Sequence, residues 1–236
     1  MRSIALAVAL GASFGACVVS AAADADEEQI EDEHPADVQA SPSADAAAET
    51  APPRDRTADG MNADAEALAE ALWYAAADGD IDRFTRLLAR GAEVDAKQAE
   101  TVTTALWIAS QEGHTELVRL LLMLGADVDA RDGADGRTAL FQAAQEGHAE
   151  IVRLLLEHGA EVEAKSARTG ATPLFIAAAR GHADVVRLLL AAGARVDVTA
   201  SAGGRVDTPI DIARQRGHVE VVKLLEEAVA AAAAPR

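Results

Sequence analysis

Cysteine is all but missing from this chain of 236 residues: Cys17 is the only one, and it lies in the N-terminal apolar run. No disulfide can staple a folded domain, so packing alone must hold it. Basic charge is also short, with 21 Lys and Arg against 39 Asp and Glu and a formal net charge of −18. A chain with that balance repels phosphate backbones, which sets it against a nucleic-acid partner. Long apolar runs are confined to Ile4–Val19, too short to span a bilayer as a stable anchor. The spacings of catalysis are missing too. There is no Ser-His-Asp arrangement, no phosphate loop and no dinucleotide fingerprint, so no active site and no cofactor are expected.

What the chain does have is repetition. The segment GHAEIVRLLLEHGAEV from Gly147 returns as GHTELVRLLLMLGADV from Gly113, GHADVVRLLLAAGARV from Gly181 and GHVEVVKLLEEAVAAA from Gly217, with a weaker copy, GDIDRFTRLLARGAEV, from Gly79. The opening glycines at 79, 113, 147, 181 and 217 set a period of 34 with one insertion of two. A fixed period of this size predicts a repeat solenoid. In each copy the apolar residues, as in Leu117, Val118, Leu121 and Leu122, make one wide helical face. Glu116, Glu150, Asp184 and Glu220 mark the helix start; Gly125, Gly159 and Gly193 mark its end. A shorter helix precedes each copy, led by Thr104, Thr138, Thr172 and Thr208 as caps, with Pro173 and Pro209 in the first turn.

Thr-Pro-Leu-x-x-Ala-Ala, then Gly-His, then Val-x-Leu-Leu-Leu-x-x-Gly-Ala resembles the ankyrin repeat, here running five times from about Ala63 to Ala230. The resemblance implies an all-α solenoid of five helix-turn-helix units joined by hairpin loops, with repeats at about 67–100, 101–134, 135–168, 169–204 and 205–236. Two departures stand out. The period is one longer than the usual 33, the extra residue falling in the hairpin. The histidine of the family's Thr-Pro-Leu-His is replaced by Trp73, Trp107, Phe141, Phe175 and Asp211. The ends of the array read as caps: Arg83 and Arg86 stand where the third repeat has Ile151 and Leu154, while Glu226 and Arg214 replace Leu190 and Ala178 of the fourth. The array is thus expected to be complete at five.

Residues 1–23 read as a bacterial secretory signal, with Arg2, the apolar run and then Ser20-Ala21-Ala22-Ala23. Two processings stay open: cleavage after Ala21 or Ala23, giving a soluble periplasmic protein, or lipidation at Cys17, since Phe14-Gly15-Ala16-Cys17 resembles a lipobox. A membrane association is expected only in the second case. Residues 24–62, rich in Ala, Asp, Glu, Ser and Pro, read as a disordered acidic linker, and residues 63–236 as the repeat domain. From Asp24 to Glu66 there are 14 acidic and 2 basic residues, so about two thirds of the net charge precedes the repeats.

Candidate functional residues follow from the repeat geometry. His114, His148, His182 and His218 are each followed two residues later by an acid, but the Pro-Cys-x-x-Cys of a zinc deaminase is missing. Equivalent residues of stacked helices also stand roughly 8–10 Å apart, too far to share one metal. They are read as bonding nearby backbone, and no metal is expected. Trp73, Tyr74, Trp107, Phe141 and Phe175 form a column along the stack that either fills the core or lines a concave groove as interface anchors. Beside it lie the positions that the resemblance implies for binding. These are Gln111, Glu112, Gln145, Glu146, Arg180, Gln215 and Arg216 on the helices, and Gln98, Glu100, Arg137, Arg168 and Arg205 in the hairpins. Glu comes early and Arg late, so the groove would be acidic at one end and basic at the other. The expectation is a monomer that binds another protein in the cell envelope as adaptor or accessory subunit. An inhibitor or immunity protein occluding an enzyme, or a secreted host-directed effector, are the alternatives.

Overall fold

The computed structural model describes residues 58–202 and 205–233. The expected signal segment, Cys17 and most of the acidic linker lie outside the described residues. Five first helices, α1 (Ala58–Ala77), α3 (Ala105–Glu112), α5 (Ala139–Glu146), α7 (Pro173–Arg180) and α9 (Pro209–Arg216), alternate with five second helices. The second helices are α2 (Ile81–Ala89), α4 (Thr115–Met123), α6 (Ala149–Glu157), α8 (Ala183–Ala191) and α10 (Val219–Ala233). Two details differ from the sequence reading. Helix α1 begins at Ala58, upstream of the boundary at 62–63, because the Ala-rich stretch before Leu68 simply prolongs it. The loop between the fourth and fifth repeats, which carries the two-residue insertion, is long enough to form a true hairpin. Its strands β1 (Ala200–Ala202) and β2 (Arg205–Asp207) pair antiparallel, Ala200 opposite Asp207 and Ser201 opposite Val206.

Helices of 8 or 9 residues are marginal in isolation, so caps and packing carry them. Thr104, Thr138 and Thr172 each accept the backbone N–H three residues on, at 3.3, 3.4 and 3.3 Å. At Thr208 a capping box closes: its hydroxyl accepts from Asp211 N, and the Asp211 carboxylate accepts from Thr208 N at 3.2 Å. Asp211 therefore replaces an aromatic ring with a cap. Those bonds from Thr208 hold its carboxyl below the usual aspartate range.

Leu72, Phe84, Leu106, Leu121, Leu140, Leu155, Leu174, Leu189 and Leu225 are fully buried along one continuous core. Between first helices the contacts are small, with Ala109, Ala143, Ala177 and Ala213 all at 0% exposure. Between second helices they are Leu, Ile and Val. Small side chains let axes approach, so the first helices pack on one another more closely than the second helices do. Closer packing on one side of a stack bends it toward that side, which puts the first helices on the concave side.

Three kinds of bond run between successive repeats, the first of them at all four junctions. The histidines do not bond nearby backbone as expected. Each reaches back across the boundary, His114 Nε2 to Ala77 O (2.8 Å), His148 to Gln111 O (3.0 Å), His182 to Gln145 O (3.0 Å) and His218 to Ala179 O (3.2 Å). The ring nests against the glycine that ends the previous first helix. At Gly147, with φ +84, a Cβ would stand 2.6 Å from His182 Nδ1, so no side chain fits there. A second set runs along the loops: carboxylates of Asp95, Asp129 and Glu163 accept the N–H groups of Asp127, Glu161 and Arg195 one repeat on, at 2.9, 2.8 and 2.9 Å. The third joins hairpin to hairpin through backbone, Gly133 N to Thr101 O, Ala167 N to Asp135 O and Ser201 N to Thr169 O.

The described ends are polar as expected. Arg83 is half-buried and Arg86 exposed, while Glu226 is exposed and pairs with Arg214 at 2.6 Å.

Candidate functional site

In an interior repeat one side of a first helix meets its second helix and two sides meet neighbours, so exposure marks the concave face. On α3 that face is Trp107, Gln111 and Glu112; on α5 it is Gln145 and Glu146; on α7 it is Arg180. Gln215 and Arg216 are exposed at the same place on α9. The last residues of the four helices are Glu112, Glu146, Arg180 and Arg216, so acid gives way to base at one structural position. Both acidic members are held by their neighbours, Gln111 Nε2 donating to Glu112 at 3.0 Å and Gln145 Nε2 to Glu146 at 2.7 Å.

Contacts across repeat boundaries hold two of the candidate arginines, Arg216 and Arg168. Arg216 Nη1 donates to Ala179 O at 3.1 Å, which carries its head group across the repeat boundary to the backbone at the end of α7. In the hairpins, Arg137 and Arg168 converge on Asp135, a residue that the sequence reading passed over. Its carboxylate is 4% exposed and accepts Arg137 Nε (2.9 Å), Ser166 Oγ (2.8 Å) and the Arg168 backbone N–H (2.7 Å). Burial pushes the Asp135 pKa up, but these bonds and the Arg137 charge outweigh it, so the carboxyl titrates below its usual range. The signal in the sequence was Asp-Gly-Ala-Asp-Gly-Arg, a turn-forming run with a second aspartate to spare. Gln215 reaches the fourth hairpin instead, donating to buried Asp207 at 2.9 Å. Arg205 stands exposed on β2. Gln98 is buried and serves its own turn through Thr101 N (2.7 Å), while Glu100 is exposed.

The aromatic column belongs mostly to the core. Trp73, Phe141 and Phe175 are buried, and Tyr74, edge-on to Trp73, is the exposed member at 47%. An uninterrupted exposed aromatic strip is therefore not formed. Trp107 is half-buried, and its Nε1 is enclosed without an acceptor. The equivalent Trp73 Nε1 donates to Thr103 Oγ1 at 2.8 Å. One repeat on, the place of Thr103 is taken by Arg137, which has donors only and lies over the Phe141 ring at 5.2 Å. Among the described residues no cluster of three or more His, Cys, Asp or Glu could hold a metal, and no helix is long and apolar enough to cross a membrane.

The family described as "Ankyrin repeats (3 copies)" matches residues 72–166 and 162–232. The chain belongs to the ankyrin-repeat family. No curated protein matches it. Ankyrin repeats are general protein–protein interaction modules built on a non-catalytic scaffold, and the concave face of this ankyrin array is where its chemically varied side chains gather.

Proposed function

We propose that this ankyrin-repeat protein is an exported bacterial adaptor or accessory subunit that holds a partner protein of the cell envelope in its concave groove. The observation that carries the reading is the passage from Glu112 and Glu146 to Arg180 and Arg216 at one position of four successive helices. Such a charge gradient fixes the direction in which a partner lies and speeds its encounter. The envelope location is supported by the apolar run Ile4–Val19 and the small residues behind it.

Affinity capture from native envelopes followed by mass spectrometry tests both points. The double substitution Gln111→Arg/Gln145→Arg, in the middle of the groove, should abolish capture of a specific protein. Glu157→Arg or Arg187→Glu on the second helices should leave it largely intact. Equal losses from both faces sink the groove reading. Fractionation should place a shortened chain in the periplasm. Palmitate incorporation that Cys17→Ala abolishes decides for the lipid-anchored form.

A further inference from the structure

The two faces of the array treat their arginines differently. On the second helices Arg119, Arg153 and Arg187 each hold a carboxylate, and two of them do so across a repeat boundary, Arg119 to Glu150 at 3.6 Å and Arg187 to Glu220. On the groove side Arg180, Arg205 and Arg216 make no ion pair among the described residues, and Arg168 comes no nearer than 4.0 Å to Asp135 with its side chain 76% exposed. The bond from Arg216 to Ala179 O carries its guanidinium toward the end of α7, where Arg180 stands exposed. Two exposed guanidiniums at equivalent positions of successive repeats, with no ion pair to either among the described residues, leave a local excess of positive charge that the C-terminal ends of α7 and α9 do not fully offset. A carboxylate bound at each of them offsets that charge and gains forked hydrogen bonds. The molecule shows forked pairing of this kind where Arg153 and Arg195 each donate through Nε and Nη2 to the two oxygens of one carboxylate, Glu150 and Asp197.

We infer that the groove over the fourth and fifth repeats receives an acidic, extended segment of the partner protein, its carboxylates paired with Arg180 and Arg216 and flanked by Arg168 and Arg205. The inference rests on the groove reading above and names the partner's chemistry. Equivalent positions of adjacent repeats lie about 10 Å apart, and an extended chain advances about 3.3 Å per residue. Acidic residues two or three apart in the segment therefore meet both guanidiniums. The other end of the segment passes Glu112 and Glu146 and is neutral or basic. A nucleic-acid strand fits poorly, because those carboxylates and the net charge of −18 repel a continuous line of phosphates.

The test uses the full chain and a labelled Gly/Ser peptide with glutamate at every third position and lysines at one end, followed by fluorescence anisotropy at low ionic strength. Arg180→Glu/Arg216→Glu should weaken binding about tenfold or more. Arg180→Lys/Arg216→Lys, which keeps charge but loses the fork, should weaken it severalfold. Arg187→Glu should change it by less than about twofold, and circular dichroism should show all variants folded. Equal binding of a glutamine-for-glutamate peptide, or undiminished binding by the reversed pair, overturns the inference. Tighter binding of a DNA duplex of matched charge does so too, assigning the arginines to phosphodiesters. A captured envelope partner lost on Gln111→Arg/Gln145→Arg yet retained by the reversed arginine pair leaves the groove reading standing and this inference wrong. Peptide binding at the arginines with no groove variant affecting partner capture does the opposite.

Discussion

The hairpin between the first and second repeats and the one between the second and third are the same structure built with opposite compromises. In the first, Gln98 closes the turn with its side chain, Thr103 takes the Trp73 N–H, and every polar group in that exchange is satisfied. Its backbone is strained instead: Val102 sits at φ 54, a left-handed conformation that a β-branched residue resists. Val102 also crowds the next hairpin, since a Cβ on Gly133 would come within 2.7 Å of it, and the bond from Gly133 N to Thr101 O is long at 3.4 Å. In the second hairpin the left-handed place belongs to Gly136, at φ 66, and the bond to the next hairpin shortens to 2.7 Å. There the polar pairing is uneven, with Arg137 held by buried Asp135 and Trp107 Nε1 left without an acceptor. Strain in one junction is conformational, and in the other it is a desolvated donor.

The largest test of that difference is Asp135→Ala. It strands Ser166, Arg137 and the Arg168 N–H together and should lower unfolding free energy by about 3 kcal/mol, against about 1 kcal/mol for Gln98→Ala; urea denaturation of both variants compares them. The two junctions should also differ in acid. Asp135 has a lowered pKa when folded, so the unfolded chain binds this proton at higher pH. Its stabilising contribution is complete above the unfolded carboxylate range, about pH 4, and disappears as pH falls through the folded pKa. Asp135→Asn should flatten the acid limb of the stability profile, and an unaltered limb contradicts the assignment.

Next in size is the pair Trp73→Phe and Trp107→Phe. Both shrink the ring equally, but only the first breaks a hydrogen bond. Trp73→Phe should therefore cost about 1 kcal/mol more than Trp107→Phe. Equal urea midpoints would mean that the Trp107 N–H is not an orphan. The smallest effect is expected at Val102→Gly. Relief of left-handed strain, about 1–2 kcal/mol, exceeds the added chain entropy of glycine, about 0.5–1 kcal/mol, for a net gain of about 0.5 kcal/mol. Gly136→Val should destabilise, and calorimetry of the two reciprocal variants shows whether the left-handed position sets the sign.

What could be read from the chain alone was whatever a single repeat contains. The Thr caps, the acids in first turns and the glycine stops are local, and each lies where the repeat pattern put it. Features made between repeats were not legible. The histidines bond carbonyls 37 residues away or more, and Asp135 becomes a hub only because Ser166 and Arg168 arrive from the next hairpin. The same limit applies to the groove. Arg187 has Asp184 three residues before it, a pair readable in the sequence, but Glu220 reaches it only because α10 packs beside α8, while Arg180 makes no ion pair among the described residues.

The histidine rings also decide how such a molecule can grow. Each interior unit offers a glycine socket at one side and a ring at the other, so the units join in one polarity. The first repeat has Asp80 where the others have a histidine, its carboxylate turned to its own helix as a cap for Arg83 N. At the far end, no described atom lies within 4 Å of a Cβ placed on Gly217. A duplicated unit inserted between the second and fourth repeats finds a ring for its socket and a socket for its ring. One added before Asp80 meets no ring. Lengthening by gene duplication is thus disfavoured ahead of the first repeat and favoured in the interior, where each new copy also adds one more rung to the groove.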